Sequence, residues 1–336
     1  MRKRTFHEAY TETLYDIYHN PEFFNSPRGQ KSREQLNYHL TLENPIERVT
    51  YLSSRKTNIV FNFAEVLWYL SGSNDLDFIS YYNKKMPSYS MNKKTLTGTA
   101  YGPKIFEFGN AKLNQWNRIK NLLTQEDIDS KRAFIQIFDA SELFVLENID
   151  VSCTIGLQFF VREGELYMSS VMRANDAFRG MISDLFSFTF MQELMARELR
   201  VEVGEYFHNA GSIHIYDSDH EWAKTVLEEA ENHHDIPEFE FPKMPEGNNW
   251  PSIETVLKYE ELLRKDQISM TKNDIEMLDL PDYWKQILFL FSIYQHIAYK
   301  RDMDHSLFQS LLPIYQFFVR NKWLHYFSTE QKEEIQ

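Results

Sequence analysis

Cysteine occurs once in this chain of 336 residues, at Cys153, so no disulfide can close within it and any thiol chemistry must fall to that one side chain. Positive charge is in short supply: 36 Lys and Arg stand against 49 Asp and Glu, a net charge of −13. Duplex nucleic acid is bound mainly by cations that neutralise phosphates, so this balance argues against a general nucleic-acid binder. No apolar run is long enough to span a bilayer, and no leader with an apolar core is present. These absences predict a cytoplasmic protein that does not enter membranes. CxxC and HExxH patterns are missing, as are Gly-rich phosphate loops and internal repeats, which predicts no metal and no nucleotide-triphosphate fold.

What is present centres on Cys153. A lone cysteine is more often a small buried hydrophobe than a nucleophile, but its surroundings are pointed. Val151 to Val161 and Glu165 to Met172 read as two strands joined by a turn at Arg162 to Gly164, which would bring the cysteine beside Arg173. Arg28, Lys131, Arg132 and Arg173 are candidates for holding one phosphate inside an acidic protein. Thr57 to Gly72 has helical apolar spacing and stops at glycine; the wheel places Glu65 on its exposed polar face. Lys131 to Phe138 reads as a strand, Leu185 to Leu199 as a buried helix, and Val201 to His208 and Ser212 to Tyr216 as two further strands. His233 and His234 read as surface residues in an acidic loop, and Ile253 to Tyr326 as largely helical.

Seven pieces then stand in a telling order: Arg28 in a loop before a strand, AEVLWYLSG with Glu65, TAYG with Tyr101, DSKR ending in Lys131 and Arg132, the cysteine strand followed by RANDAFRGMISD, VGEYFHNAG, and HIY at His214 to Tyr216. Together they resemble the thymidylate synthase family over roughly Arg28 to His220, with the helical tail unmatched. The resemblance implies an α/β (α+β) fold, a large mixed sheet flanked by helices. The expected organisation is a catalytic domain over 1–230, a linker over 231–252 and a helical extension over 253–336. It implies an enzyme, a folate-dependent one-carbon transferase without a metal. The cysteine thiolate adds to C6 of a pyrimidine 5′-monophosphate, and C5 attacks the methylene of 5,10-methylenetetrahydrofolate. By the same resemblance Arg28 and Arg173 hold the 5′-phosphate, joined by Lys131 and Arg132 from the other subunit of a homodimer. His214 and Tyr216 bond the sugar. Asp176 lies against pyrimidine and folate, and Glu65 and Tyr101 organise water and proton transfers there.

Departures from the family pattern point to the substrate. Asp184 stands where the synthases carry asparagine. A carboxyl accepts from N4 of cytosine and, when protonated, donates to N3; uracil offers the opposite pair of groups. Asp184→Asn is then expected to weaken discrimination against uracil. The competing expectation is that Asp184 only caps a helix starting at Leu185. Ala174 replaces the usual serine after Arg173, and Lys131 the first arginine of an RR pair, a combination resembling CMP hydroxymethylases of nucleoside-antibiotic and bacimethrin-type pathways. Hydroxymethylation of dCMP, methylation of dUMP, and a nucleotide- or RNA-binding relative without turnover remain open.

Overall fold

In the computed structural model, which describes residues 1–232 and 239–327, the strands join into one mixed sheet. They are β1 (Arg2–Lys3), β2 (Phe23–Asn25), β3 (Ser32–Leu42), β4 (Phe134–Gln136), β5 (Thr154–Arg162), β6 (Glu165–Met172), β7 (Asn175–Asp176) and β8 (Glu202–Tyr216). The order is β1-β3-β8-β6-β5-β4, with β2 on β3 and β7 on β8. Pairs β1–β3, β6–β8 and β7–β8 are parallel and the rest antiparallel. Around it lie α1 (Phe6–His19), α2 (Ile59–Leu70), α3 (Leu76–Tyr82), α4 (Tyr101–Phe106), α5 (Gln115–Asn121) and α6 (Gly180–Leu199). Then follow α7 (His220–Asn232), α8 (Trp250–Arg264), α9 (Lys272–Glu276), α10 (Asp282–Ala298), α11 (His305–Gln309) and α12 (Pro313–Lys322).

Local chemistry starts and stops these elements. Thr5 opens α1 with a capping box: its hydroxyl takes the Glu8 N–H, and the Glu8 carboxylate takes the Thr5 N–H. Asn58 caps α2 by accepting from the Phe61 N–H, and Gly72 follows the end of that helix at φ +71°, a conformation glycine adopts without strain. Helix α6 is apolar nearly all round because it lies between the sheet and α2. It begins at Gly180 rather than Leu185, with Arg179 as its N-cap, so Asp184 sits inside the helix and caps nothing.

Strand β6 alternates strictly between buried and half-buried residues, since α6 covers one face of the sheet and the other is open. On the open face Tyr167 and Phe207 stack with ring centroids 6.3 Å apart. The two strands expected between Val201 and Tyr216 are one, β8, in unbroken register with β3. Its alternation changes phase near Gly211: buried positions are even-numbered through Ala210 and odd-numbered at Ile213 and Ile215. Opposite Gly211 stands Asn37, at φ +54°. Strand β4 is shorter than expected because Ile137 and Phe138 both turn their N–H groups to the Ile155 carbonyl, ending the regular ladder.

Helices α10 and α12 pack on α2, α8 packs on α3 and α10, and their apolar residues join the same core. A buried ion pair anchors this region: Arg48 bonds Glu193 at 2.5 Å, and the other Glu193 oxygen accepts from the Met244 N–H at 2.7 Å. Arg48→Met would leave the buried Glu193 charge facing a single cation among the described residues, Arg197, 3.7 Å away. Stripping one partner from a buried pair typically costs about 3 kcal/mol or more, and urea unfolding should register that loss. No helix among the described residues is long and apolar enough to cross a membrane. His233 and His234 lie outside the described residues.

Candidate active site

Cys153 sits immediately ahead of β5, not within it. The carbonyls of the residues before it are taken by a side chain instead of a strand: Arg173 donates to Ser152 O and Val151 O, each at 2.9 Å, and its Nη2 stands 3.7 Å from Cys153 Sγ. The Arg173 N–H closes the loop on Cys153 O at 2.8 Å. Behind the thiol, Ser152 is clamped by Glu142, Lys104 and the Gly98 carbonyl. The Thr97, Gly98 and Thr99 N–H groups converge on the Asp150 carboxylate, tying the TAYG segment to the cysteine loop. Gly98 has to be glycine for this approach, since a Cβ there would lie 2.0 Å from Asp150 O.

The thiol is partly exposed. Burial pushes its pKa up, while the charges of Arg173 and Arg28 work in the opposite direction. Arg28, at φ +52° in the loop before β3, also acts on Tyr216, so both arginines reach the same cleft. His214 and Tyr216 extend from the end of β8 with rings 4.8 Å apart, and His214 pairs in register with Asp176 of β7. Asp176 Oδ1 accepts from the Phe178 and Arg179 N–H groups, which fixes the carboxylate in the cleft.

The opposite wall comes from α2 and α4. Glu65 is buried, only 6% exposed, contrary to the wheel, because α6 and the C-terminal helices enclose α2. Its Oε2 is buried without a hydrogen-bond partner, and burial, reinforced by Asp184, raises its pKa well above the usual carboxyl range. Tyr101 accepts a hydrogen bond from Thr154 at 3.0 Å, leaving its own proton free to donate. Asp184, on the first turns of α6, accepts from Asn175 Nδ2 at 2.7 Å. Burial pushes its pKa up to about 7, against the lowering effect of that bond. Its charge is felt by Glu65 and Tyr69 of α2, Tyr101 of α4, Cys153 and Tyr206 of β8, and it in turn feels Asp176.

Arg28, Glu65, Tyr101, Cys153, Arg173, Asp176, Asp184, His214 and Tyr216 are thus linked by contacts or by mutual electrostatic influence, and Ala174 follows Arg173 in the chain. Lys131 and Arg132 do not join them within the chain; both are exposed, just before β4. Sequence reasoning passed over Asn175 and His208. Asn175 lies inside RANDAF and His208 inside VGEYFHNAG, two of the motifs that carry the family resemblance.

Comparison with known proteins bears on the family. The family model for thymidylate synthase matches residues 8–262, a longer stretch than the motifs alone mark out. A deoxyuridylate hydroxymethyltransferase of Bacillus phage SP01 is 32% identical over 210 residues, which cover 58% of this chain and 53% of that protein. A second, of Delftia phage PhiW-14, is 28% identical over 211 residues, 59% of this chain and 57% of its own length. The chain therefore spans about half the length of these curated relatives. A thymidylate synthase of Buchnera aphidicola subsp. Schizaphis graminum (strain Sg) is 24% identical over 178 residues, 52% of this chain and 67% of that one. On the breadth of the family match and the cleft it encloses, the chain belongs to the thymidylate synthase family.

Proposed function

We propose that this chain is a CMP 5-hydroxymethylase. Members of the family are folate-dependent one-carbon transferases, so the base and the sugar are the parts of the reading that need argument. Asp184 carries it: a carboxyl poised near neutrality by burial offers an acceptor to N4 of cytosine and a donor to N3. Ala174 and Lys131 favour a ribonucleotide, as in the CMP hydroxymethylases of nucleoside-antibiotic pathways. A second reading, hydroxymethylation of dUMP, draws on the names of the phage relatives; dCMP stands between the two.

The residues present fit a folate cosubstrate on one specific ground: Glu65 Oε2 is a buried oxygen without a hydrogen-bond partner, within electrostatic reach of Asp184. 5,10-Methylenetetrahydrofolate supplies the one-carbon unit. Arg28 and Arg173 bind the phosphate, and His214 and Tyr216 the sugar. The Cys153 thiolate would add to C6, C5 would take the carbon as its bonds to the folate nitrogens give way and tetrahydrofolate leaves, and Tyr101 and Glu65 would hold and move the proton that C5 must release. Addition of water and expulsion of the thiolate complete the product. A cytoplasmic setting suits an enzyme fed by free nucleotide.

Parallel incubation of CMP, dCMP, UMP and dUMP with methylenetetrahydrofolate, with products identified by mass and dihydrofolate followed by absorbance, tests the reading. Hydroxymethyl-CMP without dihydrofolate is expected; a preference for dUMP would replace CMP as the substrate. Assembly is part of the same proposal. The half-exposed aromatic face of the sheet supports a homodimer in which Lys131 and Arg132 reach the partner's phosphate site. Mixing inactive Arg132→Ala and Cys153→Ala subunits is then expected to restore up to roughly a quarter of wild-type activity through hybrid dimers carrying one intact site. A fully active monomer in sedimentation would contradict it.

A further inference from the structure

Beneath the base-reading carboxyl runs a buried chain of polar groups. Asn175 Nδ2 donates to Asp184 Oδ2 at 2.7 Å, and Asn175 Oδ1 faces His208 Nε2 at 3.1 Å. On the far side of the imidazole, His208 Nδ1 stands 3.1 Å from Ser170 Oγ and 3.0 Å from Tyr206 Oη, and these two hydroxyls are 2.6 Å apart. Ser170, Tyr206 and His208 are fully buried and Asn175 is 3% exposed, so each polar hydrogen needs a partner inside the protein.

Counting donors settles the direction of the chain. If Nδ1 carried the proton, three hydrogens (Nδ1–H and two hydroxyls) would share the two hydroxyl oxygens, and one would be left without an acceptor. With Nδ1 bare, one hydroxyl donates to it and the other hydroxyl donates to its neighbour, and nothing is orphaned. The imidazole is neutral, burial having pushed its pKa down to about 3, so the single proton is on Nε2. Nε2–H then donates to Asn175 Oδ1, which turns the amide so that its NH2 faces Asp184. Asp184 Oδ2 is therefore always an acceptor, and a proton on this carboxyl resides on Oδ1.

We infer that Asn175, oriented by His208, is a positioning residue that sets the donor and acceptor polarity of residue 184 and thereby the choice between cytosine and uracil. The inference rests on the base-reading role given to Asp184 above. A cytosine paired bidentately would meet Oδ1–H at N3 and Oδ2 at N4. The same logic applies to an amide at position 184. The Asn175 NH2 would hold the amide oxygen where Oδ2 now lies, leaving the amide NH2 to face N3, so Asp184→Asn alone would still present a cytosine pattern. That departs from the expectation that the amide by itself relaxes selectivity. A carboxylate at position 175 cannot donate. It would draw the NH2 of an amide at 184 toward itself, turning that amide to serve O4 and N3–H of uracil.

The test compares the CMP to UMP ratio of kcat/KM, and of nucleotide Kd, at pH 6.5 in the wild type, Asp184→Asn, and the double variant Asp184→Asn with Asn175→Asp, each checked for a cooperative melt. The single variant is expected to keep its ratio within about threefold of wild type, and the double to move it toward UMP by tenfold to a hundredfold, the usual worth of a mismatched buried hydrogen bond. A simple loss of packing would weaken both nucleotides together and leave the ratio in place. If the single variant shifts toward UMP as far as the double, or if a folded double keeps the wild-type ratio, the inference is overturned. Should the double variant not fold, the single decides alone. A wild type that prefers uracil nucleotides would instead remove the proposed substrate, a separate outcome.

Discussion

Cys153→Ala is expected to lower turnover of CMP by about 10⁴-fold or more while changing its Kd by no more than about threefold. The two quantities separate because different atoms supply them. On the proposed function, affinity comes from Arg28 and Arg173 at the phosphate, His214 and Tyr216 at the sugar and Asp184 at the base, all of which the alanine leaves in place. The covalent step has no substitute, since this is the chain's one thiol. Arg173 adds a check on this reasoning. Its guanidinium rests on Ser152 O, Val151 O and the sulfur, and only the last contact is lost in the variant, so the arginine should stay positioned. Calorimetric titration with CMP alongside a single-turnover assay separates the outcomes; turnover near the wild-type level would end the mechanism.

The same alanine background gives the clearest view of Asp184, because no thiol titrates in it. Between pH 6.5 and 9 the affinity for CMP is expected to fall by tenfold to a hundredfold, as a carboxyl with a pKa of about 7 loses the proton it donates to N3. The nucleotide phosphate is already largely dianionic at the start of that interval and adds little to the change. Asp184→Asn in the same background should bind CMP with no such limb, since an amide does not ionise. Stability should respond with a definite sign. The folded-state pKa is raised above about 3.9, the value of a free aspartate, so the folded protein holds a proton that the unfolded chain releases, and stability is lost as pH rises from about 4 through about 7. Asp184→Asn should therefore raise Tm more at pH 8 than at pH 5. An alkaline limb unchanged by the substitution would assign the titration to another group facing the cleft, Glu65 or Asp176 foremost.

Much of this was legible in the chain itself. The motifs named the cleft, and the spacing of Cys153 and Arg173 across a two-residue strand turn put them together, because antiparallel neighbours fold back on one another. What escaped had physical causes. Glu65 looked exposed because a wheel sees one helix, whereas α2 is enclosed by α6 on one side and by helices from the far end of the chain on others. Cys153 looked like a strand residue because its neighbours are β-formers; a side chain, Arg173, had taken the carbonyls a strand would have used. The competing expectation of Asp184 as a cap fails because the helix starts a turn ahead of its first run of apolar residues: Gly180 to Ser183 are already helical, with a mixed composition. Asn175 and His208 carry no sign of importance on their own. Their role appears only when β7 and β8 are side by side and the hydroxyls of Ser170 and Tyr206 close the chain behind them.

Strand β8 holds His208 and His214 six residues apart, with the change of phase near Gly211 between them. Substitutions along it can alter which groups are presented to base and sugar one at a time. Loss or gain of a single residue between the two histidines would turn everything beyond it to the opposite face, sending His214 and Tyr216 under the helices and Ile213 and Ile215 into the cleft. On the proposed function, nucleotide preference is therefore free to drift by replacement but closed to change by insertion or deletion along that stretch, and variant libraries aimed at new substrates should hold its length constant.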